Sequence, residues 1–314
     1  TGPPKMIQIS VVIPLFNKKE TIGRAIESFL KQPYENKELI IIDDGSTDGS
    51  RHAVENYLAF PAIRFFNQSN GGVSSARNEG VRQARGEYVC FLDADDEWED
   101  SFLEEIVGMI HRHPDAVLYS CCIKIVDESG RKLLWNSNAE GLLPGVQDDF
   151  FKSYRENRGL VHSSSVCVLK TCFERLGGFP LGEKIGEDIY FWFKLALNGQ
   201  VCCSKKRLAI VHRNSSNRTV DRVPNGFPYQ LKYFLVDRHI YEVGPDFRQS
   251  LLNTLLHSSL VNFYGARVYG SKALIKKYLL AIKPYSRKYT VLFYALAITP
   301  KILLHCLRRV RNAL

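Results

Sequence analysis

The chain has 314 residues, of which 45% are hydrophobic and 24% charged, and it carries a formal net charge of +9. These values are typical of a globular protein with one large or two smaller domains, and they exclude a fibrous or wholly disordered chain. The eight cysteines include no Cys-x-x-Cys spacing, which favours reduced thiols in the cytosol over a zinc site or a disulfide framework. Residues 1–5 precede Met6 and are interpreted as a cloning remnant, with no signal peptide predicted.

The positive charge is concentrated in the last fifth of the chain. Twelve of the 42 Lys and Arg residues lie in 247–314, which contains no Asp or Glu. The preceding 246 residues therefore carry 30 basic and 33 acidic side chains, a net of −3. This asymmetry indicates a second region with a different partner or exposure.

Strands and helices alternate along the first 100 residues. Continuous apolar runs predict buried strands at 7–14, 38–42, 63–66 and 88–92. Apolar residues at helical spacing predict helices at 22–30, from about 48 to 60, and over 73–84. The alternation predicts an α/β fold, a mostly parallel sheet sandwiched by helices. Ligands bind such sheets beyond the carboxyl ends of their strands, so the acidic residues after the second and fourth strands are expected to share one cleft.

The second half continues with less regular spacing. Strands are predicted at 116–126, 163–169 and 207–212, with a hairpin arm at 131–135. Helices are predicted at 102–110, 149–154, 170–176 and 187–198. The polar segment 214–228 is a candidate mobile loop, and everything beyond it is helical in pattern.

Four carboxylates directly follow the strand 88–92: Asp93, Asp95, Asp96 and Glu97. Because like charges this close repel, the segment requires a cation nearby. In an extended chain Asp93 and Asp95 point the same way and could hold Mg²⁺ or Mn²⁺ through their oxygens. The alternative is a solvated acidic turn that caps the next helix.

Six short motifs in this order resemble those of the family 2 glycosyltransferases with a GT-A fold. They are VVIPLFN at 11–17, IDDGSTD at 42–48, NGGVSSARN at 70–78, FLDADD at 91–96, GGF at 177–179 and GED at 186–188. The resemblance covers roughly residues 7–212. No Gln-x-x-Arg-Trp motif is present, so the chain looks like a single-addition transferase rather than a processive synthase.

The resemblance implies a Rossmann-like GT-A fold, a nucleotide-diphosphate sugar donor, a divalent metal and inversion at the anomeric carbon. It implies that Asp44 bonds the nucleobase, which favours UDP, and that Asp93 lies near the ribose and the metal. It also implies that Asp95 is the metal ligand, with Mn²⁺ or Mg²⁺ bound. The donor-binding set by resemblance is Pro14, Phe16, Asn17, Asp44, Asn70, Gly72, Arg77, Asp93 and Ala94.

Asp188 matches the general base of the family. Inversion in one displacement needs a group that takes the acceptor's proton, and a carboxylate at a helix start is favoured in its ionised form. The alternative is that Glu187 and Asp188 only cap the helix. Arg77 could meet the diphosphate or instead form a salt bridge with the acidic cleft.

His212 matches a histidine that completes the metal site in some GT-A enzymes, and the alternative for it is a plain hydrogen-bonding role. Trp98 could shape the acceptor pocket, whereas Trp192 is expected in the core. Asp96 and Glu97 are left without a role, apart from Asp96 as a secondary metal candidate.

The predicted domains are a catalytic domain at 6–227 and a basic helical region at 228–314. The first divides into a nucleotide-binding half, 6–115, and an acceptor half, 116–227. The helical region favours binding to an anionic membrane surface through basic and apolar residues, and its alternative is a soluble extension packed on the catalytic domain. Residues 289–307 are nearly apolar but are interrupted by Pro300, Lys301 and His305, so a membrane span is not favoured.

The predicted protein is a cytoplasmic enzyme on the inner face of the plasma membrane. Its acceptor is a saccharide or a lipid-linked saccharide, as in cell-surface polysaccharide or glycolipid assembly. A non-catalytic sugar-binding or nucleic-acid-binding protein is the alternative. The basic tail would suit nucleic acid, but the acidic cleft would repel it, so no nucleic-acid partner is predicted.

Overall fold

The computed structural model describes residues 6–127, 129–133, 142–157, 159–213, 226–269 and 272–299. The chain divides into two compact units. The first comprises Thr1–Glu183 with Asp188–Asn217, and the second Lys184–Glu187 with Arg218–Leu314. The expected boundary at residue 227 remains a prediction. The segment 214–225 and the residues from Pro300 onward, which include parts of the expected mobile loop and of the apolar tail segment, lie outside the described residues.

The first unit is built on one mixed sheet with helices around it. Its described strands are β1 (Ile9–Leu15), β2 (Lys37–Asp43), β3 (Ile63–Asn67), β4 (Tyr88–Phe91), β5 (Glu97–Trp98), β6 (Ala116–Val126), β7 (Lys132–Leu133), β8 (Gly145–Val146), β9 (Val166–Leu169) and β10 (Gln200–His212). The strand order is β3-β2-β1-β4-β9-β6-β10-β5, with β7 on β6 and β8 on β10. The α/β class expected from the sequence is confirmed.

Strand β1 is the centre of the parallel half of this sheet. It pairs in parallel with β2 on one side and β4 on the other, and β2 pairs in parallel with β3. The β-branched run of β1 and β2 is buried almost throughout, as expected for strands covered on both faces. The carboxyl ends of β1, β2 and β4 therefore meet at one edge, where Asn17, Asp44 and Asp93 follow.

The helices cover the faces of the sheet with apolar stripes. They are α1 (Ile22–Leu30), α2 (Ser50–Glu55), α3 (Val73–Gln83), α4 (Phe102–Arg112), α5 (Phe150–Glu156), α6 (Lys170–Arg175) and α7 (Glu187–Ala196). The buried residues of α1 recur at helical spacing, as do those of α4. Helix α2 is shorter than predicted, because residues 56–60 form turns.

The second half of the sheet departs from the sequence prediction at several strands, among them the following. The expected strand 163–169 begins with a 3₁₀ turn at Ser163–Ser165 and becomes β9 at Val166. The last strand starts at Gln200 rather than at residue 207, since it pairs in parallel along β6 from Ala116 onward. Strand β5 was not predicted, because two residues at an acidic turn give no strand pattern. It pairs antiparallel with β10.

The second unit is helical. After short helical turns at Tyr229–Leu231 and Lys232–Val236 come α8 (Pro245–Tyr269), α9 (Lys272–Ile282) and α10 (Arg287–Ile298). Phe263 of α8 packs against Tyr278 of α9 and Phe293 of α10, with ring centroids 5.9 and 4.4 Å apart. Arg267 donates to the carbonyls of Ala297 and Thr299. Within the described residues, no helix has the length and apolarity needed to cross a bilayer.

Two helical glycines give a matched test of this packing. An alanine Cβ at Gly80 would lie 2.2 Å from Cγ1 of Val12 in β1, whereas one at Gly108 would meet only the end of Arg112, at 3.1 Å. We expect Gly80→Ala to reduce the free energy of unfolding by about 1–3 kcal/mol, because the close approach of helix and strand is lost. Gly108→Ala should be neutral or gain up to about 1 kcal/mol of helix propensity. Urea unfolding of both variants checks this, and equal effects would contradict the packing.

Candidate active site

The loops after β1 and β2 are fastened to each other at the carboxyl edge. The side chain of Asn17 accepts a hydrogen bond from the Thr47 N–H at 2.8 Å, and the backbone N–H of Asn17 donates to Ser46 Oγ at 3.0 Å. Asn17 adopts a φ of 52°, a conformation that asparagine tolerates better than most residues. Pro14 and Phe16, predicted in the donor site, are half-buried beside this junction.

Asp44 holds the loop that opens helix α3. Its carboxylate accepts from the N–H groups of Gly71 and Gly72, both at 2.8 Å, and from the Gln68 side chain at 2.7 Å. The Asn70 side chain donates to the Asp44 carbonyl. The predicted donor residues Asp44, Asn70 and Gly72 therefore form one hydrogen-bonded group, which the sequence showed only as separate motifs.

Asp93 is paired with Arg77, as one of the two alternatives for Arg77 predicted. The Arg77 Nη2 atom donates to Asp93 Oδ1 at 2.7 Å from a nearly buried guanidinium. Burial opposes ionisation of Asp93, but Arg77, His162 and Lys18 outweigh it and hold the pKa of Asp93 below its usual value. Asp93 is therefore a carboxylate at neutral pH.

Asp95 is held by two cationic residues from the segment that follows β1. Lys18 Nζ lies 2.6 Å from Asp95 Oδ2, and Arg24 donates to the Asp95 carbonyl. Ala94, between the two aspartates, is buried. The cation that the acidic segment requires is thus supplied in part by the chain itself.

Asp96, left without a firm role by the sequence, is a buried structural link. Its carboxylate accepts from Ser164 Oγ at 2.5 Å and from the His212 N–H at 3.0 Å. Burial, and then repulsion by Asp93 and Asp95, raise the pKa of Asp96 well above its usual value. Asp96 joins the acidic segment to the 3₁₀ turn and to the end of β10.

Asp96→Asn tests this environment through pH. Because the folded-state pKa is raised, Asp96 stabilises the fold fully at pH values below its ordinary pKa, about 3.8. This stabilisation is lost as the pH rises through the raised pKa. An amide can accept from His212 and donate to Ser164 without carrying charge, so the variant should lack that loss. Urea unfolding at several pH values in EDTA measures the difference. Parallel curves for variant and wild type would contradict the raised pKa.

His212 ends β10 and is nearly buried. Its Nε2 atom lies 2.9 Å from Glu97 Oε1, which gives Glu97 a partner as well. Its Nδ1 atom is buried and has no hydrogen-bond partner in the described part of the chain. An imidazole nitrogen with no partner in this part of the chain is consistent with a ligand role, which stays a prediction.

His162 is the residue that sequence reasoning missed. It precedes the 3₁₀ turn, where its Nδ1 accepts the Ser164 N–H at 3.2 Å. Burial lowers its pKa below the usual value, against the attraction of Asp93, Asp188 and Asp95. The charges of Asp93 and Asp95, predicted at the metal, and of Asp188, predicted as the general base, therefore all act on His162. Its only sequence signal is a position directly ahead of three serines.

Asp188 lies in the first turn of α7 and is half-buried. Its Oδ1 atom accepts from the Ile189 N–H at 2.7 Å. This bond is consistent with the capping alternative. The shared influence of Asp188 and Asp93 on His162 favours a place in the same centre.

Three ligand atoms, one each from Asp93, Asp96 and His162, lie within 4.8 Å of one another. Two carboxylates and an imidazole are a donor set that suits Mn²⁺ better than Mg²⁺. Asp96 fits least well, because both its oxygens already accept hydrogen bonds. The donors present are thus compatible with a divalent cation at Asp93.

The prediction for Trp98 is wrong, and that for Trp192 is confirmed. Trp98 is buried, stacks on Phe102 with centroids 4.1 Å apart and donates to the Ser164 carbonyl. Because it belongs to β5, its ring faces the core and not an acceptor. Trp192 is fully buried beside Phe91 and Phe179.

The acidic centre lies at the carboxyl edge of the parallel strands, where α/β proteins bind their ligands. The family model of Glycosyl transferase family 2 matches residues 10–166, half of the chain, and includes this edge. The chain belongs to family 2 of the glycosyltransferases.

Several relatives share parts of the sequence. An uncharacterised glycosyltransferase of Rickettsia felis is 29% identical over 189 residues, 60% of this chain and 31% of that protein. The chain thus spans about a third of the length of that relative. The UDP-Glc:alpha-D-GlcNAc-diphosphoundecaprenol beta-1,3-glucosyltransferase WfgD of Escherichia coli is 28% identical over 208 residues, 64% of this chain and 77% of that protein. A cholesterol galactosyltransferase of Borreliella burgdorferi is 42% identical over 98 residues, 31% of this chain and 27% of that protein.

Solved structures share the fold. S. aureus TarS residues 1–349 in complex with UDP-GlcNAc align with a TM-score of 0.73 at 20% identity, covering 96% of this chain and 88% of that one. The mannosyltransferase PcManGT of Pyrobaculum calidifontis, in complex with GDP-Man and Mn²⁺, aligns with a TM-score of 0.56 at 18% identity, covering 99% and 89%. The expected GT-A fold with C-terminal helices is confirmed.

Proposed function

We propose that this chain is an inverting, metal-dependent glycosyltransferase that moves one sugar from a nucleotide-diphosphate sugar to an acceptor hydroxyl. The observation that carries the proposal is the cluster at the carboxyl edge of the sheet, where ligand atoms of Asp93, Asp96 and His162 lie within 4.8 Å of one another. The charges of Asp95 and Asp188 also act on His162. The charges of donor and base residues from two separate motifs thus act on one side chain. Family membership and the shared fold with TarS support the reaction class.

The donor's nucleoside lies, in this proposal, over the junction of the β1 and β2 loops. Asp44 accepts three hydrogen bonds, and a carboxylate offers about four acceptor positions. With respect to the described residues, one position is left for an N–H donor such as N3 of uracil, which favours UDP. Pro14, Phe16 and Asn17 line the same part of the site.

Asp93 and Asp95 would hold a divalent cation, Mn²⁺ or Mg²⁺, with His162 and His212 as candidate imidazole ligands. When bound, the metal neutralises charge on the departing diphosphate. Arg77 keeps Asp93 ionised through its ion pair. Asp96 orients the segment through Ser164 and His212 and does not need to bind the ion.

Asp188 is the general base. It takes the proton of the acceptor hydroxyl as that oxygen attacks the anomeric carbon, and the nucleoside diphosphate leaves from the opposite face. The hydrogen bond from Ile189 fixes one carboxylate oxygen, and the other, which has no hydrogen-bond partner among the described residues, is proposed to accept the proton.

Nucleotide release is the experiment that tests the function. The protein is incubated with UDP-, GDP- and dTDP-sugars in Mn²⁺, in Mg²⁺ and in EDTA, with a membrane-lipid extract as acceptor source. We expect one donor, a UDP-sugar, to release its nucleotide only with metal. Absence of release from every donor would overturn the proposal.

We also propose a peripheral location on the cytoplasmic face of the plasma membrane, with a lipid-linked saccharide as acceptor. WfgD is named for such an acceptor. Helix α10 exposes Val291, Leu292, Tyr294 and Ile298, spaced on one side of the helix. Arg287 and Lys288 precede them, in a region without acidic residues. An apolar face bordered by cations is typical of binding to anionic lipid.

Vesicle binding tests the membrane surface. Val291 is 62% exposed and Ile298 83%, so glutamates at both positions should leave the fold intact. We expect the V291E/I298E variant to lose most of its binding to phosphatidylglycerol vesicles, because two charges replace buried apolar area. The control L143E changes an equally exposed residue, 81%, of the first unit. Unchanged binding of the double variant would contradict the assignment and favour a soluble extension.

A further inference from the structure

Lys18 forms an ion pair with Asp95, a carboxylate that the proposed function requires. Its Nζ atom lies 2.6 Å from Asp95 Oδ2, and the two side chains are only 12% and 16% exposed. The proposed function gives the same carboxylate to a divalent cation. An ammonium and a metal ion therefore have the same carboxylate as their partner.

Hydrogen bonds to the backbone of its loop hold Lys18 in this position. Its N–H donates to Ser50 Oγ at 2.9 Å, one residue after Asn17 is fastened to Ser46 and Thr47. Lys18 thus extends from a loop that is fixed at two consecutive residues. A long exposed lysine would lose side-chain entropy on pairing. The hydrogen bond at the Lys18 backbone N–H already fixes the point from which its side chain extends.

Part of the charge of the acidic segment is compensated by cationic side chains of the chain itself. Arg77 pairs with Asp93, Lys18 pairs with Asp95, and Arg24 binds the Asp95 carbonyl. A divalent ion at Asp95 would lie within a few ångströms of the ammonium, where like charges repel strongly. Binding of the ion therefore requires Lys18 to withdraw.

We propose that Lys18 is a resident counter-cation that competes with the divalent metal for Asp95. It keeps the acidic segment ordered while the site holds no metal, and it weakens metal binding until the incoming ion displaces it. After it withdraws, the ammonium can pair with the negatively charged diphosphate of the donor. This inference rests on the proposed metal role of Asp95 and adds a residue that sets the metal affinity.

Calorimetric titration of the protein with MnCl₂ alone tests the competition. Lys18→Met removes the ammonium and keeps an unbranched side chain, and we expect it to bind Mn²⁺ about tenfold more tightly than wild type. Lys19→Met removes the neighbouring exposed charge and should bind as wild type does. Lys18→Arg, which keeps the charge, should also stay near wild type.

Thermal unfolding separates competition from a structural role. Without metal, Lys18→Met should melt below wild type, and Mn²⁺ should raise its melting temperature by more than it raises that of wild type. If Lys18→Met only lowers the melting temperature, with Mn²⁺ affinity equal to that of Lys19→Met, the inference is overturned.

Asp95→Asn distinguishes this inference from the proposed function. Loss of Mn²⁺ binding in Asp95→Asn, with unchanged affinity in Lys18→Met, leaves the metal site intact and overturns only the competition. If wild type, Lys18→Met and Asp95→Asn all bind Mn²⁺ equally or not at all, the metal assignment is wrong and the competition falls with it.

Discussion

Replacement of Asp188 by Asn is expected to slow sugar transfer about 10²–10⁴-fold, the contribution of a general base. The amide oxygen can still accept the Ile189 N–H, so the variant should fold and bind donor as wild type does. Steady-state transfer rates and a donor titration measure the two effects separately.

The matched control is Glu104→Gln, which removes an exposed carboxylate from the first turn of another helix, α4. It should transfer at the wild-type rate. If Asp188→Asn kept near-normal turnover, the carboxylate would be a helix cap and the base would have to be sought elsewhere. Loss of donor affinity together with rate would instead indicate a misplaced loop.

Replacement of Arg77 by Met is expected to cost about 3 kcal/mol of unfolding free energy, the lower end of the range for breaking a buried ion pair. The guanidinium is nearly buried and donates to Asp93 at 2.7 Å. Its loss leaves Asp93 beside Asp95 and Asp96 without its main cation, so the pKa of Asp93 should rise. Urea unfolding at neutral and acidic pH measures both consequences.

A double-mutant cycle with Asp93→Asn isolates the pair. The double variant should recover part of the loss from Arg77→Met, because no uncompensated carboxylate remains. Additive losses would show that Arg77 stabilises through its packing on the Phe179 ring, 5.4 Å away, rather than through Asp93. In Arg77→Met the loss of unfolding free energy relative to wild type should become smaller as the pH falls and Asp93 becomes protonated.

The parallel half of the fold could be predicted because its signals are local. Buried β-branched runs give β1 and β2 to within two residues, and the motifs after them end at one edge. The residues around Asp44 illustrate the limit. The sequence indicated Asp44, Asn70 and Gly72 as members of one site, but their hydrogen bonds depend on parallel pairing of β2 and β3 and could not be read from spacing.

The missing parts of the site depend on contacts between residues distant in sequence. His162 reaches Asp93 only because β9 pairs antiparallel with β4, and a two-residue strand such as β5 has no pattern of its own. Lys18 follows a recognised motif by one residue, yet a lysine in a loop is usually solvated. Trp98 was misassigned because it follows the acidic segment directly, whereas strand geometry turns its ring inward.

Donor binding that depends on a metal is the property that the proposed site at Asp93 and Asp95 requires. Thermal unfolding of the wild-type protein is followed with a set of nucleotide sugars, each in MnCl₂ and in EDTA. We expect one UDP-sugar to raise the melting temperature by mass action, only with Mn²⁺ present, and Asp95→Asn to abolish the rise. No rise with any nucleotide sugar, or an equal rise in EDTA, would contradict a metal-dependent donor site at Asp93 and Asp95.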